Sequence, residues 1–434
     1  MGLPSEWLKF APKPRPLTGD DKWNVFLSYR SVSRSWVLHL YDVLQGLGHK
    51  VFIDQRVLKA GDPLAKELED ALDASQAGIL IWTNATRDSE WVRREYGVLE
   101  SMATDKEGFQ FVPIKLDASK LPKFAESRLF LDFSSYPDGP NGGELLRLLH
   151  AVVGIPLSDE AAHFASEQDE AAIVAAAKIT AAVQNKFKER LVKLFEDGGL
   201  PWETTSMLGC KTAEGLTKLG ANNEAIRMLE ALENRFPKAV RPRQLHALAL
   251  ARRGENDDLM DAQNIMGELY AQGERDPETL GIYARTWMDR FKASRDISDL
   301  RQSRDYYAEA FNATKDDYYT GINAASKSVF LDTPDDLAKA VAYADQVQQI
   351  VGTTPHPGDY WKTATAAEAL LIKKQYQQAG QLYEAAVAMA RSETASHMST
   401  WMQACGLMEK LGPTADERAY IRKAFDVLPD CDQL

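Results

Sequence analysis

One carboxylate in this sequence occupies a position that an apolar side chain would normally take. The segment SEWVRREYGVLESM, residues 89–102, has the spacing of an amphipathic helix. With successive residues about 100° apart, the apolar ones fall within about 160° of arc; they are Trp91, Val92, Tyr96, Val98, Leu99, Met102 and Ala103. Glu95 falls inside this arc. Such an acid reaches solvent from the edge of the stripe, pairs with a basic neighbour, or is held there for chemistry.

Further polar candidates for ligand contact follow two short apolar runs earlier in the chain. They are Ser28, Tyr29 and Arg30 after the first run, and Asp54, Arg56 and Lys59 after the second. A guanidinium binds a pyrophosphate through two parallel hydrogen bonds, which makes Arg30 a candidate for that role. Local pairing or capping is the alternative for Arg30, and simple solvation is the alternative for the charges at positions 56 and 59.

Three aromatic residues complete the set of candidates. Trp91 lies one turn before Glu95 and could line a site or position the acid, and a core role is the alternative. Phe52 could stack on a ligand ring, although a phenylalanine in a strand usually belongs to the core. Trp82 stands near the end of another apolar run, where it could contact the same ligand.

Short apolar runs alternate with helical stretches over the first third of the chain. The predicted strands cover residues 23–29, 50–54, 77–83, 109–115 and 129–133, and the predicted helices cover 33–47, 63–74, 89–104 and 142–153. This alternation predicts a five-stranded parallel sheet of the flavodoxin-like, doubly wound kind. Ligands of such sheets bind at the carboxyl ends of the strands, where Ser28, Asp54 and Thr83 would lie.

Beyond Pro156 the strand pattern gives way to helices that repeat. Five segments share one pattern, in which a small residue is followed four positions later by a larger one and three positions after that by a small or apolar one. The segments are residues 225–232, 262–269, 303–310, 340–347 and 379–386. A period near 40 residues with two helices per unit is typical of an α-solenoid, and an irregular bundle is the alternative. The predicted divisions are an N-terminal extension 1–21, an α/β domain 22–156, a linker 157–175 and a helical solenoid 176–434.

Composition excludes several classes of protein. The chain has 434 residues, a formal net charge of −12 and no apolar run long enough to span a membrane. The charge gives no reason to expect binding to nucleic acid or to an anionic membrane. Three scattered cysteines form neither a disulfide framework nor a metal motif, so we expect a reducing, cytoplasmic location, no bound metal and no export signal.

The first half resembles the TIR domain, the Toll/interleukin-1 receptor type of flavodoxin-like module. Three segments carry the resemblance, in the family's order and on the predicted elements. They are VFLSYR (25–30), VFIDQRVLKAGD (51–62) and ILIWTNATRDSEWVRRE (79–95). Some TIR domains only assemble with one another, whereas others cleave nicotinamide from NAD+. In those catalytic members the essential acid lies four residues after the signature tryptophan, and the resemblance therefore assigns that role to Glu95, four after Trp91.

The helical half resembles the tetratricopeptide-type central regulatory region of the apoptosis signal-regulating kinases. The segments DPETLGIYARTWMDR (276–290) and YYTGINAA (318–325) carry this resemblance, which spans about 175–430. It implies a regulatory scaffold that responds to a protein or small-molecule trigger.

Together the two halves predict a bacterial NAD+ nucleohydrolase that acts in defence. NAD+ is its substrate, no cofactor is required, and its TIR domains self-associate under the control of the helical region. The product would be ADP-ribose or a cyclic ADP-ribose. The alternatives are a noncatalytic scaffold in which both halves bind proteins and, less well supported, a secreted effector.

Overall fold

The computed structural model divides into two compact units, residues 1–274 and 275–434. It describes residues 3–30, 33–53, 64–83, 90–118, 120–121, 123, 128–255, 257–314, 317–391 and 393–433, without the side chains of 64–67, 90–95 and 314. The first unit contains the sheet together with the helices up to residue 271. The predicted domain boundary lies earlier, at 157–175.

Five parallel strands form the sheet of the first unit. They are β1 (Val25–Ser28), β2 (Val51–Phe52), β3 (Ala77–Trp82), β4 (Gln110–Lys115) and β5 (Leu131–Asp132), in the order β2-β1-β3-β4-β5. Strands β1 and β3 are buried along their whole length because helices cover both faces of the sheet. The predicted sheet and its flavodoxin-like order are confirmed, although β2 and β5 are only two residues long.

Helices connect and flank the strands close to their predicted positions. After the short α1 (Ser5–Leu8) come α2 (Arg34–Gly46), α3 (Leu64–Asp73), α4 (Glu90–Asp105) and α5 (Gly142–Val153). Helix α5 shows how the sequence sets its limits. Asn141 caps its first turn by accepting a hydrogen bond from Gly142 N at 2.8 Å, and Gly154 ends it in the left-handed conformation, with φ of 77°.

The rest of the chain is helical. In the first unit lie α6 (Asp159–Gln184), α7 (Lys188–Asp197), α8 (Leu200–Thr204), α9 (Met207–Lys218), α10 (Asn222–Arg235), α11 (Val240–Arg253) and α12 (Asp258–Ala271). In the second lie α13 (Pro277–Ser294), α14 (Ile297–Thr314), α15 (Tyr318–Leu331), α16 (Pro334–Val351), α17 (Tyr360–Ile372), α18 (Tyr376–Met389), α19 (Thr394–Leu411) and α20 (Ala415–Arg422).

The repeated frame predicted from the sequence marks every second helix from α10 to α18. Its small and large residues are all buried, none more than 3% exposed; they are Ala225, Leu229, Leu232, Ala262, Met266, Leu269, Ser303, Tyr307, Ala310, Ala340, Ala344, Val347, Ala379, Tyr383 and Ala386. A small first residue lets a neighbouring helix approach, and the larger one four positions later fills the space beside it. The period therefore reflects packing, as the tetratricopeptide-like prediction requires.

The segments outside the predicted domains are ordered parts of the first unit. Trp7 is fully buried and its ring meets that of Phe164 on α6 edge to face, with centroids 5.6 Å apart. His150 of α5 forms a hydrogen bond with the carbonyl of Phe10, with Nε2 2.8 Å from the oxygen. The predicted linker lies almost entirely within α6, whose 26 residues form one continuous helix.

Two of the three cysteines are bonded to each other. Cys405 on α19 and Cys431 in the C-terminal 3-10 turn form a disulfide, whereas Cys210 on α9 is a free, buried thiol. The expectation of no disulfide was therefore wrong. Nothing in their spacing of 26 residues signals the pairing, because it depends on where the chain's last turn packs.

No helix among the described residues combines the length and apolarity needed to cross a membrane.

Two buried histidines make the first unit sensitive to acid. Burial lowers the pKa of His39 to about 3, with help from the charge of Arg241, and burial lowers the pKa of His49 to about 4. In the unfolded chain both would titrate near 6.5. The free energy of unfolding is therefore highest above pH 6.5. It falls as the pH drops below 6.5, by about 2 kcal/mol per histidine at pH 5.

We expect the urea-unfolding midpoint of the first unit to fall between pH 7.5 and pH 5.0. Replacement His39→Gln should remove about half of that fall, since one of the two proton-binding sites is lost. His163→Gln is the matched control, because His163 is exposed and pairs with Glu167 on the surface. Equal pH dependence in the wild type and His39→Gln would contradict the assignment.

Candidate functional site

The carboxyl ends of β1, β3 and β4 meet at one edge of the sheet. Ser28 is buried at the end of β1, and the partly exposed Tyr29 and Arg30 follow it as predicted. Trp82 and Thr83 leave β3 beside them. The edge therefore brings Ser28, Tyr29 and Arg30 together with the end of the third strand. Asp54, Arg56 and Lys59 lie outside the described residues.

Helix α4 packs one face against the sheet. Tyr96, Leu99 and Met102 are buried, and relative to Trp91 they stand at about 140°, 80° and 20° around the helix. Position 95, at about 40°, lies between the last two. Val98 is 42% exposed, which corrects its predicted place in the apolar arc. The buried arc is thus narrower than expected at Val98, whereas the side chains of Trp91 and Glu95 lie outside the described residues.

A glycine in β3 sets how closely α4 approaches the sheet. Gly78 lies beneath Leu99, and a Cβ at this position would overlap the Cδ2 of that leucine. The next neighbour, the ring of Phe109, would be 3.2 Å away. The contact between Leu99 and Gly78 therefore sets the distance of this turn of α4 from β3.

Phe52 and Trp82 belong to the core of the sheet. The Phe52 ring is 1% exposed and stacks on Phe26, with centroids 5.1 Å apart and an angle of 4° between the planes. Trp82 is equally buried and packs in the same cluster. For Phe52 this is the core role that the sequence had left as the alternative; ligand contact by either ring stays a prediction.

A buried ion pair joins this edge to the helical region. Arg34, at the start of α2, donates from Nη1 to the Tyr29 hydroxyl and from Nη2 to Glu274 Oε2 at 3.1 Å. The side chains of Arg34 and Glu274 are 4% and 1% exposed. Since these residues are 240 positions apart, no sequence pattern signalled their contact.

Three further contacts hold the helices against the same side of the sheet. His39 Nδ1 lies 3.0 Å from Ser206 Oγ, and Lys211 pairs with Asp138. Asn141 donates from its side-chain amide to the carbonyl of Pro201 at 2.9 Å. The loop after β5 and helix α2 are therefore both in contact with the segment 201–211.

Helix α6 completes the start of α5. Asp169 Oδ1 accepts hydrogen bonds from Gly143 N at 2.7 Å and from the Tyr136 hydroxyl at 2.6 Å. A Cβ at Gly143 would overlap the carbonyl of Ala165, so only glycine permits this approach. A residue of α6 thus supplies an acceptor to the first turn of a sheet-flanking helix, whose N–H groups lack partners within the helix.

Comparison with known proteins identifies both halves. Residues 25–148 match the family described as TIR domain, and residues 221–331 match that described as Tetratricopeptide Repeats-Sensor. The chain is also similar to the probable 2' cyclic ADP-D-ribose synthases TcpB of Brucella melitensis and Brucella abortus. Each is 29% identical over 87 residues, which cover 20% of this chain and 35% of the relative. The chain thus spans about a third of the length of these curated relatives.

Among solved structures, the chain is similar to the C-terminal part of a TPR repeat-containing protein from Cytophaga hutchinsonii. That similarity has 13% identity and a TM-score of 0.30, and it covers 58% of this chain and 98% of the other. A score this low has no bearing on the fold.

Replacing Gly78 by alanine should raise α4 from the sheet or force Leu99 out of its packed position. Overpacking of this kind typically costs about 1 to 3 kcal/mol. We expect a lower urea-unfolding midpoint, and Leu99→Ala should lower it less in the Gly78→Ala background than in the wild type, because the smaller residue at 99 leaves room for the methyl group. Gly97→Ala on the exposed side of α4 is the control, since a Cβ there meets nothing within 4 Å. A Gly78→Ala variant as stable as the wild type would contradict the close contact.

Proposed function

We propose that this chain, which carries a TIR domain followed by tetratricopeptide-type sensor repeats, cleaves the bond between nicotinamide and ribose in NAD+. The proposal is supported most by the match of residues 25–148 to the TIR family, together with the position of residue 95 on α4, the helix that follows β3. The activity named for the Brucella relatives supports the same chemistry.

The chemistry needs only one carboxylate. As the C1'–N bond breaks, its electron pair leaves with nicotinamide, which becomes neutral and needs no proton. The ribose carbon gains oxocarbenium character, and a carboxylate close to it stabilises the growing positive charge. Glu95 takes this role in the proposal, NAD+ is the substrate and no cofactor takes part.

Capture of the ribose carbon completes the reaction. Attack by water forms a C–O bond, releases a proton and gives ADP-ribose, whereas attack by a hydroxyl of the same molecule gives a cyclic ADP-ribose. The name of the Brucella relatives favours the cyclic product. We propose that the protein acts in bacterial defence and that its TIR domains self-associate.

Regulation enters the proposal through Arg34 and Glu274. Arg34 contacts the Tyr29 hydroxyl next to the candidate ligand residues, and its charge is balanced by a carboxylate of the helical region. Both side chains are almost fully buried, so replacing either one removes a polar contact between α2 and the helical region. The helices up to residue 274 therefore hold the edge of the sheet in its working arrangement, and a trigger that moves them changes the rate.

Glu95→Gln should abolish nicotinamide release. We expect a fall of at least about 100-fold in kcat, since a neutral amide no longer stabilises the oxocarbenium charge. The assay incubates the purified full-length protein with NAD+, at high concentration and with a crowding agent, and separates nicotinamide and the ADP-ribose products by chromatography. Glu100→Gln is the matched control, because Glu100 lies on the same helix, is partly exposed and pairs with Arg128. Release that persists in Glu95→Gln, or no release by the wild type in any condition, would favour the noncatalytic scaffold.

Glu274→Met and Arg34→Met should each lower kcat/KM for NAD+ by about tenfold or more, as either removes the buried contact between α2 and the helical region. The double variant Arg34→Met/Glu274→Met should lose less than the sum of the two, since both substitutions remove the same contact. Glu268→Met is the control, because Glu268 is an exposed partner of Arg243 in the same part of the chain. Strictly additive losses would show that the ion pair does not position the edge.

A further inference from the structure

The last turn of the chain is joined covalently to α19. Cys431, in the final 3-10 turn, forms a disulfide with Cys405 on α19. The turn belongs to the C-terminal segment, residues 426–433, which follows the 3-10 turn Lys423–Phe425. Cys405 is 8% exposed, whereas Cys431 is partly exposed at the surface of the second unit. A thiol in solution therefore has access to the bond from the side of Cys431.

Noncovalent contacts hold the C-terminal segment less firmly than this bond. Within the part of the chain that the structure describes, two side chains outside the segment donate hydrogen bonds to it. Trp401 donates from Nε1 to the carbonyl of Pro429 at 2.8 Å, and Arg422 donates from Nη2 to the carbonyl of Leu428 at 2.8 Å. Val427 is 86% exposed. Water can replace such hydrogen bonds when the segment detaches, so each adds little net stability.

The C-terminal segment covers one face of α19. Trp401 lies one turn before Cys405 on this face and is 1% exposed. Its ring stacks on that of Phe425, with centroids 5.2 Å apart, and the guanidinium carbon of Arg422 lies 5.4 Å from the ring centroid. Release of the segment would therefore uncover the edge of the Trp401 ring that now donates to it.

The opposite face of α19 contacts α15 and α17. Gln403 donates from Nε2 to Glu368 Oε1 on α17 at 2.9 Å. A Cβ at Gly406 would lie 3.3 Å from the ring of Phe330 on α15, so these two helices are closely packed. Because a helix moves largely as one body, a change at the covered face of α19 also reaches its contacts with α15 and α17.

We propose that the Cys405–Cys431 pair is a redox switch of the second unit. In the oxidised state the disulfide holds the C-terminal segment against α19. In the reduced state the segment detaches, and α19 loses the contacts that cover its Trp401 face. The inference concerns the second unit alone and goes beyond NAD+ cleavage.

A dithiol reductant opens the switch by thiol–disulfide exchange. One thiolate of the reductant attacks Cys431 Sγ, the S–S bond breaks, and Cys405 leaves as a thiolate that takes up a proton. The second thiol of the reductant then displaces Cys431 as a thiol and closes the reductant's own disulfide. The protein gains two electrons and two protons, and the dithiol loses them. Cys210 takes no part, because it is buried on α9 in the first unit.

Hydrogen–deuterium exchange of the full-length protein, read by mass spectrometry, tests the proposal. One sample is equilibrated with oxidised glutathione and another with dithiothreitol, and alkylation in denaturant counts the free thiols of each. We expect one free thiol after oxidation, that of Cys210, and three after reduction. Amides of residues 426–433 and 401–411 should exchange at least about tenfold faster in the reduced protein, because the disulfide restricts the detached states of the 26-residue loop that it closes.

Cys431→Ser is the matched control. Its exchange should be the same in both buffers and should equal that of the reduced wild type, whereas Cys210→Ser should keep the full response to dithiothreitol. If Cys431→Ser fails to fold, the comparison between the two wild-type samples still decides.

Three outcomes would overturn the redox switch. The first is three free thiols after treatment with oxidised glutathione, and the second is a disulfide that dithiothreitol leaves intact in the folded protein. The third is equal exchange of residues 426–433 in wild-type samples that differ in their number of free thiols. None of these readouts involves NAD+, so they are independent of whether the chain is an enzyme.

Discussion

The contact between Asp169 and the start of α5 underlies the construction of the first unit. Its carboxylate accepts hydrogen bonds from Gly143 N and the Tyr136 hydroxyl, while a backbone carbonyl of the same helix occupies the space that a Cβ at position 143 would need. Helix α6 is thereby held directly against a helix of the sheet domain. The later contacts at His39, Asp138, Asn141 and Arg34 all lie on helices and loops that this arrangement brings beside the sheet.

These contacts change how the two halves of the chain are understood. A TIR domain with an attached sensor suggests two independent modules, but here the helices up to residue 271 belong to the same compact unit as the sheet. They supply a counter-ion for Arg34. This ion pair lies beside the edge where the candidate NAD+ residues stand, so a sensor signal would need only a small shift of packed helices to reach it.

The local sequence pattern predicted much of this fold, because burial of one face of a helix or strand makes apolar residues recur at a regular spacing. The strands, the helices between them and the repeated frame of α10 to α18 could all be read from the spacing of apolar and small residues. The buried positions Tyr96, Leu99 and Met102 of α4 could be predicted for the same reason, whereas the exposure of Val98 could not, since it depends on where α4 meets the sheet. The Arg34–Glu274 pair and the Cys405–Cys431 disulfide depend on contacts between distant segments, for which one sequence contains no signal.

The glycine start of α5 has a practical consequence for dissecting this protein. A truncation at residue 156 would follow the domain boundary predicted from the sequence but would remove Asp169, expose the closely packed glycines to water and separate Arg34 from Glu274. The smallest fragment that keeps every one of these groups paired ends at Glu274. Loss of activity in a shorter fragment would therefore report damage to the cut surface and not the absence of a regulatory signal.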